Sequence, residues 1–223
     1  MPPVTELVQS QAGLTYRLRR GQPGGGLIVM LHGLSGDENV MWIFDRALPR
    51  PATVIAPRAP YASEFGGYSW SRAAARDQLS DVDFQEAIDH LQHFSGEASA
   101  LYQVDPRRVI VMGFSQGAAL SYAFSLAHPG MLCGVIALAG FLPPHNRHSE
   151  RSAAESKKAI PRYLIIHGAH DEVVPIERAR EARLVLEGHG ASVEYHEHRV
   201  GHKMSAQGMQ EIKHWIANTW REG

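Results

Sequence analysis

Residues 113–117 read Gly-Phe-Ser-Gln-Gly and match the pattern G-x-S-x-G around Ser115. The pattern follows a short apolar run and opens a helix-like apolar segment, which is the context that a nucleophile elbow requires. In such an elbow the two glycines let a strand and a helix approach closely, while a strained turn exposes the serine hydroxyl. The alternative is a glycine-rich turn with an idle serine. The context favours a nucleophilic Ser115.

A serine hydroxyl is a weak nucleophile at neutral pH, so it needs a base, and the base needs a group that orients it. In this kind of site the order along the chain is serine, acid, histidine. Asp171 follows an apolar run at 163–167, and His202 follows the run at 192–200. We therefore predict a triad of Ser115, His202 and Asp171.

Other titratable residues compete for these roles. Glu172 is the nearest rival acid. His196 and His198 fall inside a predicted strand, on one face by its period of two, and His214 falls in a predicted helix. A zinc site built from His196, His198 and His202 is a weaker alternative, because it would also need an open coordination position.

Catalysis through an acyl-enzyme also requires donors for the oxyanion. The backbone N–H of Gln116, directly after the nucleophile, is one candidate. The second is expected in the loop 32–37, where Leu34 is the best placed. The side chains at these positions are not part of the prediction, because the donors are main-chain groups.

Apolar runs alternate along the chain with segments of helical spacing. The runs predict strands at 27–31, 53–56, 109–113, 134–139, 163–167 and 192–200. The segments between them predict helices at 81–102, 116–127, 177–187 and 205–220, the first capped by Ser80. Strands with continuous apolar runs and intervening helices indicate an α/β fold with a mostly parallel sheet covered on both faces.

An early strand is also expected from Arg17, Arg19 and Arg20, which alternate with Tyr16 and Leu18. The alternation predicts that the aromatic and aliphatic residues face the core. The arginines are expected on the exposed face.

Length and composition fit one globular domain over residues 1–223, because 44% of the residues are hydrophobic and 20% are charged. The net charge of −1 argues against a nucleic-acid or anionic-lipid partner. Cys133 is the only cysteine, which excludes an intrachain disulfide. With no signal-peptide pattern and no apolar run long enough to span a membrane, we expect a cytoplasmic protein.

Several motifs taken together resemble the compact carboxylesterase and phospholipase family, which includes the acyl-protein thioesterases. They are LHGLSGDE at 31–38, APRAP at 56–60, GFSQGA at 113–118, LAGFLP at 138–143, HGAHDEVVP at 167–175 and GH at 201–202. The resemblance implies an α/β-hydrolase fold without a separate cap domain. It also implies a serine esterase or thioesterase that uses no cofactor, with the same triad and oxyanion donors. No metal is expected.

The expected substrate is a small acyl ester with a short to medium acyl chain. An apolar wall for the acyl group is predicted from Phe65, Tyr68, Trp70, Phe114 and Leu142. Three alternatives remain open: a thioesterase or lysophospholipase acting on acyl-protein or acyl thiol, a catalytically silent binding protein, and a metal-dependent hydrolase. The sequence also leaves the oligomeric state open, including a homodimer.

Overall fold

The computed structural model of the chain describes residues 5–11, 13–73, 79–144 and 160–222. The strands of its main sheet are β1 (Glu6–Gln9), β2 (Thr15–Arg19), β3 (Leu27–Leu31), β4 (Thr53–Pro57), β7 (Val109–Phe114), β8 (Gly134–Leu138), β9 (Arg162–Gly168) and β10 (Val193–His198). They lie in the order β1-β2-β4-β3-β7-β8-β9-β10. A separate hairpin pairs β5 (Tyr61–Ala62) with β6 (Tyr68–Ser69).

The pairing makes most of the sheet parallel. Only the edge pairs β1–β2 and β2–β4 run antiparallel, and all other neighbours in the main sheet are parallel. All five residues of β3 are buried, as are all five of β8, because both faces of the central strands are covered. The carboxyl ends of β7, β9 and β10 therefore share one edge of the sheet, where site residues collect in such folds.

Helices cover both faces. They are α1 (Gln85–Leu101), α2 (Gln116–Ala127), α3 (Ile176–Gly188) and α4 (Ala206–Glu222), with 3-10 helices at Val40–Ala47 and Val82–Phe84. The apolar layer on one face includes residues of α1, α2 and α3, and the layer on the other face includes residues of α4 and of the first 3-10 helix. No helix among the described residues is long and apolar enough to cross a membrane.

The predicted alternation of strands and helices is confirmed, with ends that shift by one or a few residues. The largest shift lies at the start of α1, because the predicted helix from residue 81 begins as a 3-10 turn. There the Asp81 carboxylate accepts the N–H of Val82 at 2.9 Å, and the Asp83 carboxylate accepts the N–H of Ser80 at 2.8 Å. Asp81 therefore caps this turn in place of the predicted Ser80, whose N–H and hydroxyl both donate to Asp83, and regular α-helix starts at Gln85.

The prediction that Arg19 lies on an exposed face is wrong. Arg19 is only 8% exposed and its guanidinium lies 3.2 Å from the carboxylate of Asp45, which belongs to the first 3-10 helix. The 3-10 helix covers this face of β2 at Arg19 and buries its guanidinium beside Asp45, whereas Arg20, directly after the strand, is exposed as predicted. Arg17, on the same row, is partly exposed and contacts Asn39.

Candidate active site

Ser115 lies in a strained turn between β7 and α2. Its backbone has φ 54° and ψ −116°, a conformation that non-glycine residues rarely adopt. The turn is fixed by its backbone: Ser115 N–H donates to Leu138 O at 2.9 Å, and Ser115 O accepts the N–H groups of Ala118 and Ala119. The result is the sharp strand-to-helix turn that the G-x-S-x-G pattern predicts.

The two glycines of the pattern are required by close backbone contacts. A Cβ on Gly113 would lie 2.1 Å from Gly117 O, and a Cβ on Gly117 would lie 2.2 Å from Leu31 O. Real Cβ atoms do not come this close to backbone oxygens, so no larger residue fits without moving the main chain. The glycines therefore let α2 start directly against the end of β3.

Asp171 and His202 are joined by a hydrogen bond. His202 Nδ1 lies 2.7 Å from Asp171 Oδ2, and since an ionised carboxylate only accepts, Nδ1 carries the proton. The other oxygen, Oδ1, accepts the N–H groups of Val173 and Val174 at 2.9 Å each. With both oxygens engaged, the buried carboxylate holds the imidazole, and its Nε2 has no hydrogen-bond partner among the described residues.

Ser115 and His202 line the same cavity. The Phe114 ring packs against the imidazole with ring centroids 4.9 Å apart, which places the histidine over the elbow. Ser115 Oγ makes no hydrogen bond to a described residue. Catalytic hydrogen bonds are often long in unliganded enzymes and tighten when substrate binds, so this arrangement is compatible with a serine–histidine pair.

The residues that compete for the acid and base roles do not line the cavity. Glu172 is exposed, and so is His214 on α4. His196 and His198 do share one face of β10, as predicted, and both contact Glu211 of α4, with His198 Nε2 3.1 Å from its carboxylate. Within the described part of the chain no group of histidine, cysteine, aspartate and glutamate side chains is arranged to hold a metal ion.

Leu34 and Gln116, the predicted oxyanion donors, also line the cavity. Gln116 is the first residue of α2, so its N–H has no acceptor within the helix. In the loop after β3 the N–H of Ser35 donates to Tyr68 O and that of Gly36 to Gly33 O. No described residue accepts the N–H of Leu34.

His32 fixes the loop that follows β3. Its Nε2 accepts the N–H of Ala59 at 3.0 Å, so the proton is on Nδ1, which donates to Gly33 O at 2.7 Å. Burial lowers the pKa of His32, because desolvation penalises the charged imidazolium. A neutral His32 therefore holds Gly33, directly before Leu34, in one orientation.

The side chain of Gln116 ties the elbow to the segment 69–70. Its Oε1 accepts the N–H of Trp70 at 3.1 Å, and its Nε2 donates to Ser69 Oγ at 3.0 Å. The sequence pattern gives no hint of this second role. One residue therefore joins a predicted oxyanion donor to the hairpin beside the cavity.

The cavity has a volume of about 1150 Å³. Of the residues predicted to form its acyl wall, Phe65 lines it and is 60% exposed. Phe141, Val173, Val174 and Arg178 also line it, and none of the four was predicted from the sequence. Their positions after β8 and β9 are a usable signal, because loops at the carboxyl edge of a parallel sheet surround the site.

The remaining wall predictions are not matched by the cavity lining. Trp70 is only 1% exposed and its indole N–H donates to His32 O at 2.8 Å, so it supports the loop from the core. Tyr68 lies under the guanidinium of Arg58. Phe114 packs against His202, and Leu142 packs against the main core.

Burial also keeps His167 neutral. Its Nε2 donates to Val174 O at 2.8 Å and lies 3.4 Å from Asp171 Oδ2. Desolvation lowers the pKa of His167, so it places no second positive charge beside the carboxylate. The Nε2 proton of His167 is used by Val174 O, so the imidazole that donates its N–H to Asp171 is that of His202.

Comparison with known proteins defines the class. The family model for phospholipase/carboxylesterase matches residues 19–220. The chain belongs to the phospholipase/carboxylesterase family of α/β-hydrolases, a family of serine hydrolases that act on ester bonds. The membership confirms the predicted fold class and the predicted family resemblance.

Individual relatives carry different descriptions. A protein of Oryza sativa subsp. japonica described as a probable inactive carboxylesterase is 28% identical over 209 residues, covering 87% of this chain and 84% of that protein. Acyl-protein thioesterase 1 of Kluyveromyces lactis is 26% identical over 222 residues, covering 89% and 93%. A carboxylesterase from Mesorhizobium loti has a similar crystal structure, with a TM-score of 0.82, 24% identity and coverage of 96% and 98%. At 24% identity, this structural similarity establishes the fold alone.

Proposed function

We propose that the protein is a serine carboxylesterase that hydrolyses small acyl esters of short to medium chain length. Ser115 is the nucleophile, His202 the base and Asp171 the residue that orients the base. The observation that carries the proposal is the 2.7 Å bond between His202 Nδ1 and Asp171 Oδ2, beside a strained Ser115 in the same cavity. We propose the cytoplasm as its location.

In the first half of the reaction His202 Nε2 takes the proton of Ser115 Oγ as the oxygen attacks the ester carbonyl. The negative charge on the carbonyl oxygen is bound by the N–H groups of Leu34 and Gln116. The tetrahedral intermediate collapses, the bond to the leaving oxygen breaks, and the proton passes from His202 to the alcohol. A water molecule then attacks the acyl-enzyme by the same route, releasing the acid and restoring Ser115.

A second candidate is a thioesterase. The K. lactis relative that bears the name acyl-protein thioesterase 1 favours it, and the same residues would serve, because only the leaving atom differs. A third is a binding protein without catalytic activity, and the rice relative described as probably inactive favours it.

The test is hydrolysis of p-nitrophenyl esters from acetate to palmitate and of matched thioesters, with a chelator present. We expect activity in the wild type with a maximum at a short or medium chain. In Ser115→Ala the value of kcat falls to the background left by the oxyanion donors, a loss of about 10⁵-fold or more. Ser99→Ala, a serine of α1 that does not line the cavity, is the matched control.

Equal activity in wild type and Ser115→Ala would remove Ser115 from the mechanism. Faster turnover of thioesters than of esters would favour the thioesterase. Reaction with a fluorophosphonate, followed by mass spectrometry, separates a narrow substrate range from a silent site. A functional elbow adds the phosphonyl group at Ser115, whereas a silent site leaves it unlabelled.

A further inference from the structure

Arg178 is a cation in the wall of the candidate active site. It is the third residue of α3 and lines the same cavity as Ser115 and His202. The side chain is half-buried, and its guanidinium carbon lies 5.4 Å from the centre of the Phe141 ring, which is itself buried. The guanidinium is therefore stacked beside an apolar wall and directed to the cavity.

Among the described residues, Arg178 differs from its neighbours because it has no carboxylate partner. On the same helix Arg180 pairs with Glu197 at 2.8 Å and Arg183 with Glu187 at 2.8 Å. No carboxylate of a described residue lies within ion-pair distance, 4.0 Å, of Arg178.

The other charges in the cavity wall are accounted for. Arg72 lies 3.6 Å from Glu86 and stacks on Tyr61, so its charge is matched locally. Glu64 lies in the exposed turn between β5 and β6 and faces water. Among the described residues that line the cavity, Arg178 is thus the cation whose charge is available to a ligand.

The position is also unfavourable for a cation that serves only the helix. The first turn of a helix carries a partial positive charge, so an arginine there weakens the helix slightly. Half-burial adds a desolvation cost to an unpaired guanidinium. An anion bound in the cavity would offset both costs, and the planar guanidinium can donate two parallel hydrogen bonds to a carboxylate or phosphate.

We infer that Arg178 selects ester substrates that carry an anionic group, a carboxylate or a phosphate, away from the ester bond. This inference rests on the proposed function. The anion binds at Arg178 while the ester carbonyl lies at Ser115. Arg178 takes no part in bond making or breaking, so it is a specificity-determining residue.

The experiment compares kcat/KM for matched anionic and neutral esters. For an anion on the acyl side the pair is p-nitrophenyl hydrogen glutarate and p-nitrophenyl pentanoate. For an anion on the leaving group the pair is para-acetoxybenzoate and its methyl ester. We expect the wild type to prefer the anionic member of one pair, which identifies the side. Arg178→Gln lowers the anionic-to-neutral ratio in that pair by about tenfold or more, the usual effect of losing a charge-assisted hydrogen bond.

Two controls separate charge recognition from packing. Arg183→Gln removes a cation from the same helix outside the cavity and keeps the wild-type ratio. Arg178→Lys recovers part of the ratio, because it keeps the charge but lacks the planar fork. Rising ionic strength lowers the ratio of the wild type and leaves that of Arg178→Gln nearly constant.

The inference is overturned if both ratios are the same in wild type and Arg178→Gln. If the ratios are unchanged because anionic and neutral esters lose activity equally, Arg178 would be assigned to packing on Phe141. Titration calorimetry with glutarate gives a readout without turnover, and we expect about tenfold weaker binding in Arg178→Gln. Failure of the proposed function has a different signature, namely neutral-ester hydrolysis that does not depend on Ser115.

Discussion

At the scale of single residues, Asp171 uses both oxygens of its carboxylate. Oδ2 accepts the proton of His202 Nδ1, and Oδ1 accepts the N–H groups of Val173 and Val174, which belong to the cavity wall. The first contact sets the tautomer of the imidazole that we propose as the base. The second fixes the backbone of the wall, so one carboxylate would serve both the proposed chemistry and the shape of the site.

Replacing Asp171 with asparagine separates these functions. The amide oxygen can still accept from Val173 and Val174, but the NH₂ group cannot accept from His202 Nδ1, so the imidazole takes the wrong tautomer. By analogy with other serine hydrolases we expect kcat to fall by about 10⁴-fold with little change in stability. Steady-state kinetics and urea unfolding measure the two quantities. Glu172→Gln, an exposed neighbour, is the control, and an Asp171→Asn enzyme within tenfold of wild type would exclude the assigned role.

Glu38 gives a pH-dependent contribution to stability. Its carboxylate accepts two hydrogen bonds from Arg58, at 2.7 and 2.8 Å, and these lower the pKa of Glu38 from 4.5 to about 2. Because the folded pKa is depressed, the stabilisation is present above the unfolded pKa and is lost as the pH falls toward the folded pKa.

We therefore expect Glu38→Gln to lower the free energy of unfolding by about 1 to 3 kcal/mol at pH 7. The gap to wild type should narrow as the pH falls from about 5 toward 3, where the unfolded chain takes up the proton. Urea unfolding at several pH values measures it. A gap that stays constant over this range would contradict the assigned cause.

At the scale of elements, the approach of α2 to the end of β3 explains why the elbow needs glycine. Gly117 and Gly96 are both helical, but a Cβ on Gly117 would meet Leu31 O, whereas a Cβ on Gly96 would have nothing within 4 Å. Helix propensity favours alanine at both positions. Only the tertiary contact distinguishes them.

The two alanine variants should therefore change stability in opposite directions. Gly96→Ala raises the free energy of unfolding by roughly 0.5 to 1 kcal/mol through helix propensity. Gly117→Ala lowers it by roughly 1 to 3 kcal/mol through the backbone clash, and it lowers kcat because the Gln116 N–H moves. Thermal or urea unfolding gives the sign, and a stabilising Gly117→Ala would refute the close approach.

The elements that sequence predicts well are those that carry their signal locally. Continuous apolar runs identify the buried strands, and the turn after β7 has its own pattern. The β5–β6 hairpin has no such signal, because it is fixed by distant partners such as Gly36, which bridges to Tyr68. The direction of the Trp70 side chain likewise depends on distant partners, Gln116 and His32. Its aromatic type alone therefore could not reveal that it supports the loop after β3 instead of lining the cavity.

At the scale of the whole molecule, the sheet separates two apolar layers. Ser115 directly precedes α2, which packs in the first layer, while His202 precedes α4, which packs in the second. The proposed triad therefore depends on elements from opposite faces of the sheet. Its geometry depends on both layers being well packed.

Trp215, 2% exposed, is the largest fully buried side chain of the second layer. We expect Trp215→Ala to lower the free energy of unfolding by about 3 to 5 kcal/mol, a large part of the stability of an ordinary domain. His214→Ala, an exposed neighbour on α4, should change it by less than about 0.5 kcal/mol. Urea unfolding compares the two, and equal effects would show that the second layer contributes little.

The elbow has an evolutionary consequence. Its shape is held by the main-chain bonds of Ser115 to Leu138, Ala118 and Ala119, and none of these involves the hydroxyl. A single codon change at this position would abolish the proposed chemistry while the scaffold and its cavity persist, and a change to glycine would also relieve the positive φ. Descendants of such a scaffold can thus become receptors for the molecules their ancestors cleaved, without refolding around a new site.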